Sequence, residues 1–277
     1  MHTPPCILSI AGADSGGGAG IQADLKTMTV LGAYGMSAAT ALTAQNGLGV
    51  AGIHPVPPEF VSLQIRTVRD GFPVAAAKTG MLFSGPIIAA VADALADRDF
   101  PLVVDPVCVS QTGHRLLQED AVEAMRQRML PLASLLTPNR PEAELLADLP
   151  IRSAADVAEA GRRLLDLGAE AVLIKGGHFA PGGTAEDEML TDWLCLPEQK
   201  PLPLPQPRVH TANNHGTGCT LSAAIATWLG LGLPLAEAVI RAQRYLNRCL
   251  QASYAPGKGV GPVNHAAPFF HLYPLAV

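Results

Sequence analysis

Charge and reactive sulfur are both scarce in this chain. Asp, Glu, Lys and Arg together make 16% of its 277 residues, the net charge is −5, and basic residues nowhere cluster. Nucleic acid and anionic membrane are therefore poor partners. Long apolar runs are missing as well: Gly, Pro or a charge breaks every hydrophobic segment, so nothing predicts a bilayer span. The start, Met1-His2-Thr3-Pro4-Pro5, has neither the charged region nor the apolar stretch of a signal peptide. Five cysteines, odd in number and scattered, form no CxxC pair, which argues against a disulfide framework and against structural zinc. No GxxxxGK[ST] occurs, so a P-loop is excluded. These absences together predict a soluble, cytoplasmic, reduced protein.

What is present is enough apolar material, 48%, for a sizeable core. Short β-rich runs alternate with helical periodicity along the whole length. Cys6–Ala11, Ala75–Ala77, Leu102–Val104, Leu135–Thr137 and Ala171–Lys175 read as strands. Ile21, Leu25 and Met28 mark one helix, and Ile88, Val91, Ala92 and Leu95 mark another. Ser153-Ala154-Ala155-Asp156 resembles a capping box, and its helix should stop at Gly168. Continuous apolar strands between amphipathic helices imply an α/β fold, a largely parallel sheet with helices on both faces. Two stretches interrupt the rhythm. His178–Glu188 reads as a loop, and Pro197, Pro201, Pro203, Pro205 and Pro207 make an extended surface connection that no central strand could contain. No repeat or long linker divides residues 1–277, which predicts a single domain.

Ligands of open parallel sheets gather at the carboxyl ends of the strands. The strongest candidate there is Asn213-Asn214-His215-Gly216-Thr217-Gly218-Cys219-Thr220, followed by a helix with Leu221, Ala224, Ile225, Trp228 and Leu229 on one face. Thr217 is placed to cap that helix, and Gly216 and Gly218 let backbone N–H groups point outward. Such a turn binds anions, and Cys219 in the first helical turn is expected to have a lowered pKa. A second glycine run, Gly12 to Gly20, only weakly matches a dinucleotide fingerprint, because no acid stands near the required distance for a ribose. Asp105, directly after a strand, and Glu142, in Thr137-Pro138-Asn139-Arg140-Pro141-Glu142, suit Mg²⁺. Lys175, in Lys175-Gly176-Gly177-His178, can neutralise charge in phosphoryl transfer. His178 and His215 are better loop hydrogen-bonders than ligands. Gln45 offers one donor and one acceptor side by side, a match for a planar aminopyrimidine edge.

Taken in order, these stretches resemble the bacterial hydroxymethylpyrimidine/phosphomethylpyrimidine kinases of thiamine biosynthesis. The likeness rests on Gly12 to Lys26, Gly32-Ala33-Tyr34-Gly35, Thr43-Ala44-Gln45-Asn46, Lys78-Thr79-Gly80-Met81-Leu82 and Asp105-Pro106-Val107. It continues through Thr137-Pro138-Asn139, Lys175-Gly176-Gly177-His178, His215 to Thr220, and Gly259-Val260-Gly261-Pro262. The resemblance implies a ribokinase-like fold, ATP with Mg²⁺, a homodimer, and two successive phosphorylations of one pyrimidine. By position it puts Gly12, Asp24, Gln45, Met81 and Val107 around the pyrimidine. Asp105 and Glu142 fall to the metal, Lys175, Thr217 and Asn139 to the nucleotide, and Gly216, Gly218 and Cys219 with Lys175 to catalysis. Asn214 and His210, which depart from the family pattern, are expected to border the nucleotide. A pyridoxal kinase of the same fold family and a non-catalytic pyrimidine-binding module are the competing readings.

Overall fold

Strand β1 (Cys6–Asp14) is buried almost throughout and stands third in the sheet that the described residues form, nine strands ordered β3-β2-β1-β4-β5-β6-β7-β8-β9. The computed structural model describes residues 3–107, 119–176 and 188–269. Parallel pairing runs through β2 (Tyr34–Asn46), β1, β4 (Val74–Thr79), β5 (Leu102–Val104), β6 (Leu135–Leu136) and β7 (Val172–Ile174). Antiparallel strands close both sides: β3 (Gly49–Pro55) beside β2, and β8 (Met189–Cys195) then β9 (Leu202–Pro207) beyond β7.

Alternation along the strands sends side chains to two separate cores. Leu8 and Ile10 of β1 pack with Ile65 of α2 (Pro58–Gly71) and Ile88 and Val91 of α3 (Gly85–Leu95). Helices α4 (Glu119–Ala124), α5 (Arg140–Ala147) and α6 (Ala154–Asp166) complete that face. Ile7 points the other way, toward Met28 of α1 (Gly20–Val30), Ile225 of α7 (Thr217–Gly230) and Val239 of α8 (Leu235–Gln251). Both faces are thus covered, which is why the central strands need no polar alternation. The predicted α/β architecture holds.

Several local readings hold as well. Ser153 caps α6 by accepting from Asp156 N–H, and Gly168 follows the helix at φ +106°. The proline-dense stretch is more ordered than the sequence suggests, since 202–207 form the outermost strand, with Pro203, Pro205 and Pro207 alternating along it. Strands β3 and β8 and helix α8 are additions. The expected loop His178–Glu188 falls, except for Glu188, outside the described residues, as does Cys108. No helix among the described residues is long and apolar enough to cross a membrane.

Gly161, in the middle of α6, tests how tightly the helix meets the sheet. A Cβ there would lie 2.4 Å from Cys195 Sγ and 2.9 Å from its Cβ. Gly→Ala inside a helix ordinarily gains about 1 kcal/mol. Here overpacking outweighs that gain, so Gly161→Ala is expected to lower stability by about 1–3 kcal/mol in denaturant titration. An unchanged or raised midpoint would show that α6 moves freely over β8.

Candidate active site

β1 ends on Asp14, and the glycine turn that follows folds back over its carboxylate. Oδ1 accepts from Gly16 N–H at 2.8 Å, and Oδ2 from Gly18 N–H at 3.0 Å and Ala19 N–H at 2.8 Å. His215 Nε2, from the far end of the chain, adds a contact of 2.9 Å to Oδ2. Burial alone would raise the Asp14 pKa, but the bonds from His215, Ala19 and Gly16 outweigh it and hold the carboxyl below its ordinary range. The first glycine run therefore cradles the protein's own carboxylate, which explains why it is no dinucleotide site.

The second glycine turn packs against the first. Gly216 precedes α7 at φ +81°, and a Cβ on it would lie 1.9 Å from Gly18 O. Glycine is required on both counts. Thr217 does not cap the helix as expected: it is already the first helical residue, and its hydroxyl donates to Asn214 O at 2.5 Å. With no side-chain cap, the N–H groups of Gly218 and Cys219 have no carbonyl in their own helix to bond. That leaves them for an anion.

Lys175 follows β7 and meets Asp105, which follows β5, at 3.0 Å. Burial works against its charge, but Asp105 and Glu142 outweigh burial and raise its pKa, so the ammonium stays protonated. A Cβ on Gly218 would lie 3.4 Å from Asp105 Oδ2 and 3.5 Å from Lys175 Nζ. Cation, carboxylate and open amides thus converge on one point. Asn139 and Glu142 close a capping box on α5, each side chain taking the other's backbone N–H at 2.9 Å. Asn139 therefore spends its Oδ1 on the helix. Among the described residues no group of three or more His, Cys, Asp or Glu could hold a metal. Asp105 and Glu142 still fit Mg²⁺, which takes one or two carboxylates and fills its shell with phosphate oxygens and water.

These residues share one cavity of about 490 Å³, lined also by Gly12, Gln45, Met81, Val107 and Cys219. Gly12 makes room for Met81, whose Cε would stand 2.4 Å from a Cβ there. Val107 lies at φ +32°, a costly conformation for a β-branched residue. Asp24, expected at the pyrimidine, does not line the cavity. Its carboxylate is fully buried, bonded to Ser9 Oγ at 2.5 Å and to Lys78 Nζ at 3.0 Å. Lys78 is equally buried, and Asp24 overcomes the penalty of burial and raises its pKa.

Cys219 also departs from expectation. Burial pushes its thiol up to about 11, against the opposing pull of Lys78 and the Gly20 N–H. The helix N-terminus is outweighed by desolvation, so the resting group is a thiol. Asn214 and His210 do not line the cavity, and His178 lies outside the described residues.

Sequence reasoning missed Asp14 and Lys78, and a further network in the same cavity. Asp192 of β8 accepts from Gly176 N–H and Gln243 Nε2, each at 2.7 Å, and Gln206 Nε2 donates to Gln243 Oε1 at 2.7 Å. An acid within a half-buried strand was the available signal for Asp192.

Comparison with known proteins agrees with this geometry. The sequence pattern of the phosphomethylpyrimidine kinase family matches residues 14–264. The thiamine biosynthesis bifunctional protein ThiED of Geobacter sulfurreducens is 49% identical over 94% of the chain, although the chain spans only about half, 52%, of that longer protein. The hydroxymethylpyrimidine/phosphomethylpyrimidine kinase of Haemophilus influenzae is 45% identical, with 94% of this chain and 96% of that protein covered. Among solved structures, the pyridoxal kinase of Staphylococcus aureus in complex with AMP-PCP and pyridoxal superposes with a TM-score of 0.85 at 32% identity, covering 96% of this chain and 95% of that one. On the extent of the match and the residues gathered in the cavity, the chain belongs to the phosphomethylpyrimidine kinase family.

Proposed function

We propose that this chain transfers the terminal phosphoryl group of ATP to 4-amino-5-hydroxymethyl-2-methylpyrimidine, and then a second one to the monophosphate so formed, in thiamine biosynthesis. The observation that carries the reading is the meeting of Lys175, Asp105 and the open Gly218 and Cys219 amides inside a cavity that also holds Gln45. Identity of 45% to a pyrimidine kinase, against 32% to a pyridoxal kinase, favours the pyrimidine alcohol over pyridoxal. The relative that was solved with AMP-PCP supports ATP as donor.

Phosphoryl transfer asks a protein mainly for positioning and charge stabilisation. The Gly218 and Cys219 amides and the Lys175 ammonium stabilise charge on the phosphoryl oxygens. Asp105 and Glu142 would hold Mg²⁺, which when bound neutralises phosphate charge. Gly12, Met81 and Val107 shape the wall for a flat ring, and Gln45 bonds its edge. In the first step the alcohol must lose a proton, and Cys219 Sγ is the group at hand to take it in its thiolate form. In the second step the acceptor is already mostly anionic, its second pKa being about 6. No base is needed there.

An exposed apolar face supports the homodimer. Leu42 and Leu48 around β2 and β3 join Phe60 and Leu63 of α2, each at least half exposed. Burying such a face is what a stable pair of subunits requires.

Because the Cys219 pKa stands near 11, thiolate is scarce at neutrality and grows tenfold per pH unit below that value. The alcohol step is therefore expected to accelerate from pH 7 to pH 9, while the monophosphate step stays flat. Cys219→Ser should slow the alcohol step by about 10²–10⁴-fold, and the second step far less. Equal losses in the two steps would assign the thiol to shaping the anion turn instead.

Asp105→Asn is expected to raise the Mg²⁺ concentration for half-maximal rate by about 10-fold or more. Stability should fall too, because Lys175 loses its buried counter-charge. An unchanged Mg²⁺ dependence would reject the metal role. For the assembly, Leu63→Glu should shift sedimentation from dimer to monomer, and a wild-type monomer would refute the dimer.

A further inference from the structure

Three side chains at the rim of the cavity admit one consistent arrangement of protons. His215 Nε2 lies 2.9 Å from Asp14 Oδ2 and 3.3 Å from the end of the Gln45 amide assigned as Nε2. The other end of that amide lies 3.3 Å from Thr43 Oγ1. Asp14 is ionised and only accepts, and its Oδ2 already takes the N–H groups of Gly18 and Ala19. His215 Nε2 must therefore carry a proton and give it to Asp14, since a bare lone pair at 2.9 Å would repel the carboxylate.

A protonated Nε2 has no lone pair left for Gln45. The Gln45 Nε2 placed there sets donor against donor, so the proton arrangement requires the amide turned over, with its oxygen facing His215. The NH₂ group then faces Thr43. Thr43 can receive it, because its own proton goes to Ala13 O at 2.8 Å and its lone pairs remain. One amide proton serves Thr43, and the other is left for a ligand in the cavity that Gln45 lines.

We propose that His215, held by Asp14, is a positioning residue for substrate choice. It fixes the direction of the Gln45 amide so that an N–H meets the ligand ring on the Thr43 side, selecting a ring with a nitrogen lone pair there. The inference rests on the reading of the cavity as a pyrimidine site. Without the His215 donor, the amide can turn over and present its oxygen to the same ring nitrogen.

Two measurements decide it. Long-range ¹H–¹⁵N correlation of the wild-type imidazole is expected to show His215 protonated at Nε2. A neutral Nδ1–H tautomer overturns the proposal, whatever any variant does. The second compares kcat/KM for the hydroxymethylpyrimidine with that for the analogue whose ring nitrogen beside the amino-bearing carbon is replaced by CH. His215→Phe, checked for folding by its melting curve, should lower the preference for the natural ring by about tenfold or more, chiefly through KM. His215→Gln, which keeps a donor, should restore part of it. A folded His215→Phe enzyme with unchanged preference also overturns the proposal. Absence of any turnover of the pyrimidine by the wild type would fell the functional reading instead, and the tautomer would still decide the amide's direction.

Discussion

One carboxylate ties the two ends of the working chain together. Asp14 terminates β1, and the protein folds its own glycine amides and His215 onto it. Residues 201 positions apart are thereby joined. The contact sets the first glycine turn under the second, closely enough that Gly18 O lies where a side chain on Gly216 would begin. Only with that approach does α7 start at the cavity with its first amides open. The two glycine turns and the start of α7 all depend on a charge at the cavity wall that is satisfied from within the protein.

Charges elsewhere in the site follow the same logic of prior satisfaction. Lys78 is sealed against Asp24 away from the cavity lining, and Lys175 is matched to Asp105 within it, so neither cation stands without a partner. Burying an ion is tolerable only with such pairing. The thiol of Cys219 has no equivalent compensation. Desolvation therefore prevails there, leaving an uncharged group at the turn where phosphates would gather.

Much of the fold was legible because its cause is local. Leu102–Val104 reads as a buried strand from three apolar residues, and α3 from the spacing of Ile88, Val91, Ala92 and Leu95, all buried. β8 was not legible, since Thr191 and Asp192 interrupt its apolar residues, and the bonds that hold Asp192 come from Gly176 and Gln243, 16 and 51 residues away. The site divides in the same way. Glycines and charged residues at strand ends marked Gly12, Asp105, Lys175 and the Gly216 turn, and the structure brings them into one cavity. Asp24 could not be placed, because its burial depends on Lys78, 54 residues away. The sign of the Cys219 shift was hidden for a related reason: the sequence displays the helix start and not the desolvation.

The prolines of β9 have a consequence beyond that strand. Pro203, Pro205 and Pro207 share one side of a period-two ladder, and β9 nonetheless pairs with β8 over six positions. The intervening residues must then donate inward, so every position that would donate outward is a proline, which has no N–H. That border of the sheet displays carbonyls without donors. A strand from another molecule could not zip onto it, and the protein is guarded at that edge against self-templated aggregation.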